Sequence, residues 1–156
     1  MRPALSPVHA GPMTTPFDYD ADPERFRLAS RVTRQHLLAE RSLYERLAEL
    51  LAEIGARRVL DVGCGEGALR AALPARLRLV GLDASWTMLG AHPRPVVQAL
   101  ATALPFPAGV FDAVVAVNVL DHLADPTVAV AAAGQVVTPV TITKRGAVIS
   151  ARKQAP

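Results

Sequence analysis

The sequence predicts an α/β fold, a doubly wound parallel sheet with helices on its faces. Three observations carry this. From residue 57 onward, short apolar runs alternate with short helical patterns, which is the grammar of right-handed βαβ units. Phe111 to Val117 (FDAVVAV) is a continuous apolar run, as expected of a strand buried on both faces. Arg57 to Val62 runs directly into Gly63-Cys64-Gly65-Glu66-Gly67 and then a helical stretch, a strand–turn–helix layout.

Residues 1–16 hold Pro3, Pro7, Pro12 and Pro16 without apolar periodicity and read as a flexible tail. Residues 17–55 read as N-terminal helices. Asp22-Pro23 suits a helix start. A second helix begins near Ser42, where Leu43, Leu47, Leu50, Leu51 and Ile54 fall on one face, and Gly55 suits its stop. Residues 56–151 form the main domain. After the glycine loop, Ala68 to Leu73 is a short helix stopped by Pro74. Leu77 to Leu82 is a second strand ending at Asp83, and Ser85 caps a helix through Leu89. Val96 to Leu100 is a third strand and Phe111 to Val117 a fourth. A helix starts at Asp125-Pro126 and runs to about Val137, and Gly146 to Ala151 is read as the fifth strand. Residues 152–156 are a tail.

Composition narrows the function classes. At 156 residues the chain is one domain, and 51% hydrophobic against 20% charged residues excludes wholesale disorder. The single cysteine, Cys64, excludes an internal disulfide framework and a multi-cysteine zinc site, and no metal is expected. A net charge of +3 is too small to argue for nucleic acid. No apolar run reaches the ~18 residues of a membrane span, and the first 16 residues make a poor signal peptide. A cytoplasmic protein with a small-molecule partner, no nucleic acid and no membrane is expected.

The chemistry sits at residues 61–67 and 83. Glycines allow a tight turn with positive φ and leave no Cβ between backbone and ligand. The helix that follows offers N–H groups and a positive dipole end. Asp83 lies twenty residues after Gly63, at the end of the next strand, where an acid can bind both hydroxyls of a ribose. Two nucleoside ligands compete. Gly63-x-Gly65-x-x-Ala68 fits a dinucleotide fingerprint and so keeps NAD open. Asp61, two positions before the first glycine, would repel a pyrophosphate and suit a cationic ligand, which favours S-adenosylmethionine with its ammonium and sulfonium.

VLDVGCGEGALR at 59–70 resembles the first motif of class I S-adenosylmethionine-dependent methyltransferases, and LVGLDASWTML at 79–89 resembles the second. ALPFPAGVFDAVVAVNVLDHLADP at 103–126 is similar to the third and fourth segments of the small-molecule branch, methyltransferase type 11, like the quinone-biosynthesis enzymes. The resemblance covers residues 57–126 and implies a Rossmann-like sheet and methyl transfer to a small molecule. By position it implies that Asp61 orders the loop and helps hold the methionine amino group. Gly63, Cys64 and Gly65 would give backbone contacts to the methionine moiety. Asp83 would bind the ribose, with Ala84, Ser85 and Met88 near adenine or ribose, and Ala101 and Thr102 flanking adenine. Asn118 and Val119 would border the methyl group and the acceptor.

Two departures from that resemblance stand out. Leu100 occupies the position where many relatives carry an acid for the adenine amino group. The turn before the fifth strand lacks its Gly-Gly, and the last two strands are expected to be missing. The chain thus reads as C-terminally truncated, with its fifth strand an exposed edge open to self-association. This motivates an alternative, a degenerate, non-catalytic S-adenosylmethionine-binding domain, with an NAD-dependent oxidoreductase third. Asp121 and His122 are read as a polar pair at a helix start, with a general-base role toward the acceptor as the sharper reading. Cys64 is read as a space-filler. Trp86 and Met88 are read first as core residues, with lining of the adenine pocket as the sharper reading. Phe17, Tyr19 and Phe26 are the candidates for a lid. Arg25, Arg27, Arg31 and Arg34 are read as a solvated helix face.

Overall fold

The first helix, α1 (Pro23–His36), starts at the Asp22-Pro23 pair, where Asp22 Oδ1 accepts a hydrogen bond from the Arg25 amide at 3.1 Å. It belongs to a computed structural model that describes residues 19–36, 42–136, 139–144 and 147–152. The tail expected at 1–16, Phe17 and the last four residues lie outside the described residues.

Helix α2 (Leu43–Glu53) is fixed at its start by a reciprocal cap. Ser42 Oγ accepts from the Glu45 amide at 3.2 Å, and Glu45 Oε2 accepts from the Ser42 amide at 2.8 Å. The apolar face read from the sequence is the face that packs. Leu47 and Leu51 are buried in a cluster with Val59, Leu69, Leu77, Leu79, Ala113 and Val115.

The sheet contains β1 (Arg58–Val62), β2 (Arg78–Asp83), β3 (Val96–Gln98), β4 (Ala113–Ala116), β5 (Pro139–Lys144) and β6 (Ala147–Arg152). Their spatial order is β3-β2-β1-β4-β5-β6. The first five run parallel and β6 is antiparallel to β5. Alternate residues of β1 face opposite sides. Val59 joins the cluster under α2 and α3 (Ala68–Ala72), while Leu60 and Val62 join Leu82, Val114, Ala116, Ala133 and Val136 under α5 (Pro126–Val136). Both faces are covered, which is why β4 reads as unbroken apolar sequence. A short α4 (Trp86–Ala91), N-capped by Ser85, connects β2 toward β3. At the opposite end of the sheet, Asp112 Oδ2 accepts from the amides of Arg57 and Arg58 at 3.0 and 2.8 Å. Its Oδ1 pairs with the Arg58 guanidinium at 2.9 Å, which ties the starts of β1 and β4 together.

One strand assignment needs correction. The segment expected as the fifth strand is the sixth, and the fifth is Pro139–Lys144, which pairs parallel to β4 through Val114 and Val140. Proline is tolerated as the first residue of a strand, so Pro139 opens β5 where the sequence reading ended a helix. The fifth strand is therefore interior, between β4 and β6, and the sheet edges are β3 and β6. Among the described residues no helix is long and apolar enough to cross a membrane.

Candidate functional site

Strand order reverses around β1: the chain moves outward through β2 and β3, then returns to place β4 on the other side of β1. Such a switch point leaves a crevice at the carboxyl ends of the strands. The loops that end β1, β2 and β4 meet there, and they carry most of the residues singled out in the sequence.

The glycine loop is shaped by close approach as well as by backbone angle. Gly63 has φ +69°, and a Cβ built on it would sit 2.4 Å from Val119 Cγ2. A Cβ on Gly65, at φ +52°, would lie 3.1 Å from the Phe26 ring. The loop N–H groups, expected to face a ligand, are already engaged. The amides of Gly63 and Cys64 donate to the Leu82 carbonyl at 2.7 and 3.1 Å, and that of Gly67 donates to the Cys64 carbonyl at 3.1 Å. The Gly65 amide donates to Asp83 Oδ2 at 2.8 Å. The end of β2 takes the Gly63, Cys64 and Gly65 amides because it lies directly against the loop.

Asp61 ends up beneath this loop, only 3% exposed. Among the described residues none donates a hydrogen bond to its carboxylate. Burial, with the Asp83 charge adding to it, pushes its pKa up to about 8. A carboxylate held this way lacks a counter-cation. Asp83 is half-buried and joins two loops: Oδ2 takes the Gly65 amide, and Oδ1 takes the Ser85 amide at 2.9 Å. Each oxygen retains lone-pair capacity for a further donor.

The other sequence-derived positions divide by environment. Ser85 is buried, caps α4 by accepting from the Met88 amide at 3.2 Å, and donates to Asp20 at 2.5 Å. Ala84 is exposed, and its carbonyl accepts from Gln98 Nε2 at 3.0 Å. Ala101 and Thr102 are half-buried in the turn after β3. Asn118 is exposed with φ +53°, and Val119 packs on Gly63. Met88, on α4, is buried, at 1% exposure. Trp86, assigned to core from sequence, is 57% exposed, and the Arg94 guanidinium lies 5.9 Å from its ring centroid. Leu100 is also exposed.

Asp121 and His122 lie on an exposed 3-10 turn, Leu120–His122, rather than on a longer helix. The Cys64 thiol is buried. Burial and the charges of Asp61 and Asp83 push its pKa well above the usual thiol range, which matches a space-filler and not a nucleophile. Among the described residues no group of three or more His, Cys, Asp or Glu side chains is placed to hold a metal ion.

Three residues at the crevice had no local sequence signal. Asp20 reaches Ser85 and the Thr87 amide, and Arg27 pairs with Glu66 of the glycine loop at 2.7 Å. These contacts join positions 39 to 67 residues apart, so no periodicity announces them.

Residues 60–142 match the family described as methyltransferase domain. An uncharacterized methyltransferase of Mycobacterium bovis is 34% identical over 104 residues, which cover 62% of this chain and 53% of that protein. An uncharacterized methyltransferase of Mycobacterium tuberculosis matches with the same figures. The chain thus spans about half the length of these curated relatives. In structure, the chain is similar to the S-adenosylmethionine-bound amino pentose methyltransferase CalS10 of Micromonospora echinaspora. That match has a TM-score of 0.61 at 24% identity and covers 76% of this chain and 55% of that one. The YcgJ protein of Bacillus subtilis matches with a TM-score of 0.54 at 24% identity, covering 64% of this chain and 49% of that one. At these identities the structural likeness speaks for the fold.

Proposed function

The chain belongs to the methyltransferase domain family, and we propose that it is an S-adenosylmethionine-dependent methyltransferase acting on a small-molecule acceptor. The observation that carries this reading is the buried Asp61 carboxylate, which lacks a counter-cation under a loop whose Gly63, Cys64, Gly65 and Gly67 amides are already engaged. A pyrophosphate needs free N–H donors and is repelled by that charge. A ligand with an ammonium group and no phosphate supplies what the site lacks, so the residues present fit S-adenosylmethionine better than NAD.

In this proposal Asp61 draws the ligand's ammonium group toward the glycine loop, and Gly63, Cys64 and Gly65 give it backbone contacts. With the amides of Gly63, Cys64 and Gly65 engaged, these residues can offer carbonyl oxygens, which suit a cation. Asp83 accepts the ribose hydroxyls with the lone pairs not used by Gly65 and Ser85. Ala84, Ser85, Ala101 and Thr102 border the base, while Asn118 and Val119 border the acceptor. The bound group supplies an electrophilic methyl on a sulfonium. The chain's own task is then to place the acceptor in line with that methyl and to exclude water, the terms that dominate such a displacement. Asp121 or His122 would take a proton where the acceptor must lose one.

The proposal also includes a cytoplasmic setting and self-association at a sheet edge. The edge concerned is β6, because β5 is covered on both sides. Cell fractionation and sedimentation velocity test these two points. The activity itself is tested by transfer of a labelled methyl group to a panel of small amines, hydroxyls and carbon acids. Turnover lost in Asp83→Ala supports the assignment. A chain that binds S-adenosylhomocysteine but methylates no member of the panel would be reassigned as a non-catalytic binding domain.

A further inference from the structure

Behind the glycine loop lies a pair of buried groups that the proposed methyl transfer does not use, and Gly81 of β2 is where they meet. A Cβ built on Gly81 would lie 2.8 Å from Cys64 Sγ and 2.9 Å from His92 Nε2. Gly81 has no positive φ, so it needs to be glycine for space alone. A thiol and an imidazole nitrogen converge on one point above its Cα. His92, at the C-terminal end of α4, also packs on the loop, where a Cβ on Gly67 would sit 3.1 Å from its Cδ2. Both side chains are out of solvent, Cys64 at 7% and His92 at 4% exposure.

The imidazole is set up as a ligand. Its Nδ1 lies 2.5 Å from the Pro93 carbonyl oxygen, which can only accept, so Nδ1 carries the hydrogen. Nε2 therefore presents a lone pair, and it is buried without a hydrogen-bond partner. Histidines that bind metals are held in the same way, with the other ring nitrogen donating to a carbonyl or carboxylate. The Cys64 sulfur has a single long contact, 3.7 Å to the Gly65 carbonyl. The charges of Asp61 and Asp83 reach that sulfur and favour a cation beside it. One sulfur and one imidazole are too few for zinc, which takes four ligands. They suit a soft cation that is satisfied by two ligands in line, and thiolates select Cu(I).

We propose that Cys64 and His92 form a buried two-ligand site for a soft monovalent cation, Cu(I) or its analogue Ag(I), at the base of the glycine loop. On binding, the Sγ–H bond breaks and an Sγ–metal bond forms. The proton leaves to solvent, because a coordinated thiol is deprotonated outright. Nε2 donates its lone pair from the side opposite the sulfur, and the metal keeps its oxidation state. The pair takes its cation whether or not the crevice takes S-adenosylmethionine.

Ag(I) is the first probe, because it needs no reductant. Titration of the full chain should saturate at one equivalent, with a new ultraviolet sulfur-to-metal absorption and one proton released per ion. A thiol alone also binds Ag(I), so dependence on His92 decides the matter. His92→Asn keeps an amide donor for the Pro93 carbonyl and removes Nε2. Loss of an outer partner costs a metal site about 10–100-fold in affinity, so loss of this direct ligand should cost on the order of 100-fold. Gly81→Ala drives a methyl group between the two ligands and should weaken binding in the same way. Equal Ag(I) affinity in the parent and in a folded His92→Asn chain would overturn the site. X-ray absorption of the parent chain loaded anaerobically with Cu(I) needs no variant at all. It should show one sulfur and one imidazole nitrogen around the metal, and a shell of sulfur alone would refute the assignment.

Discussion

Lowering the pH from 8 to 6 should weaken S-adenosylhomocysteine binding by about 50-fold, and Asp61 is the cause. Its carboxyl is held near 8 by burial and by Asp83. The proposed ligand's ammonium group pairs only with the ionised form. At pH 8 about half the molecules carry that charge, and at pH 6 roughly one in a hundred does. Each binding event at pH 6 must therefore release close to one proton. Calorimetry in two buffers of different ionisation enthalpy counts it directly. Asp61→Asn should bind weakly at both pH values and release none. Equal affinity at pH 6 and 8 in the parent chain, with no proton released, would refute the reasoning.

The same carboxyl controls the stability of the free chain. Because its folded-state pKa is raised, the native state keeps a proton between pH 4 and 8 that the unfolded chain gives up. Stability from this group therefore falls as pH rises through that window, and the loss is complete above 8. The span from 3.8 to about 8 sets a ceiling of roughly 6 kcal/mol at ~1.4 kcal/mol per pH unit. Urea melts of Asp61→Asn should accordingly show a chain more stable than the parent at pH 8 and a flatter pH profile. A variant less stable than the parent at pH 8 would mean that Asp61 is a structural acceptor and carries no uncompensated charge.

Other substitutions test the loop and the frame. Gly63→Ala places a methyl group against Val119 at positive φ, and chemical denaturation should show a loss of about 2–4 kcal/mol along with loss of ligand binding. Gly134→Ala in α5 meets open space and should gain about 0.5–1 kcal/mol in the same assay. Ser42→Ala removes one half of the capping box on α2 and should cost about 1 kcal/mol, read as a lower melting temperature with the ligand site intact.

What was legible in the sequence follows from how local each signal is. The glycine loop, Asp61 and Asp83 announce themselves because a strand, a turn and a helix are consecutive there. The apolar face of α2 and the buried run of β4 are periodic patterns, and both pack as read. β5 was hidden because Pro139 looks like a terminator and is in fact a permitted first residue of a strand. The engagement of the Gly63, Cys64 and Gly65 amides follows from how closely β2 lies against the loop, a register that only three dimensions reveal. Asp20, Arg27 and Glu66 were invisible as a set because each is an ordinary surface residue until the chain brings them to the same crevice.

The most direct test of the central claim is calorimetric titration of the folded chain with S-adenosylhomocysteine and, separately, with NAD. A site built around an uncompensated Asp61 should bind S-adenosylhomocysteine saturably, lose that binding in Asp83→Ala, and ignore NAD. A folded chain that binds NAD, or that binds S-adenosylhomocysteine no less tightly without the Asp83 carboxylate, would contradict it.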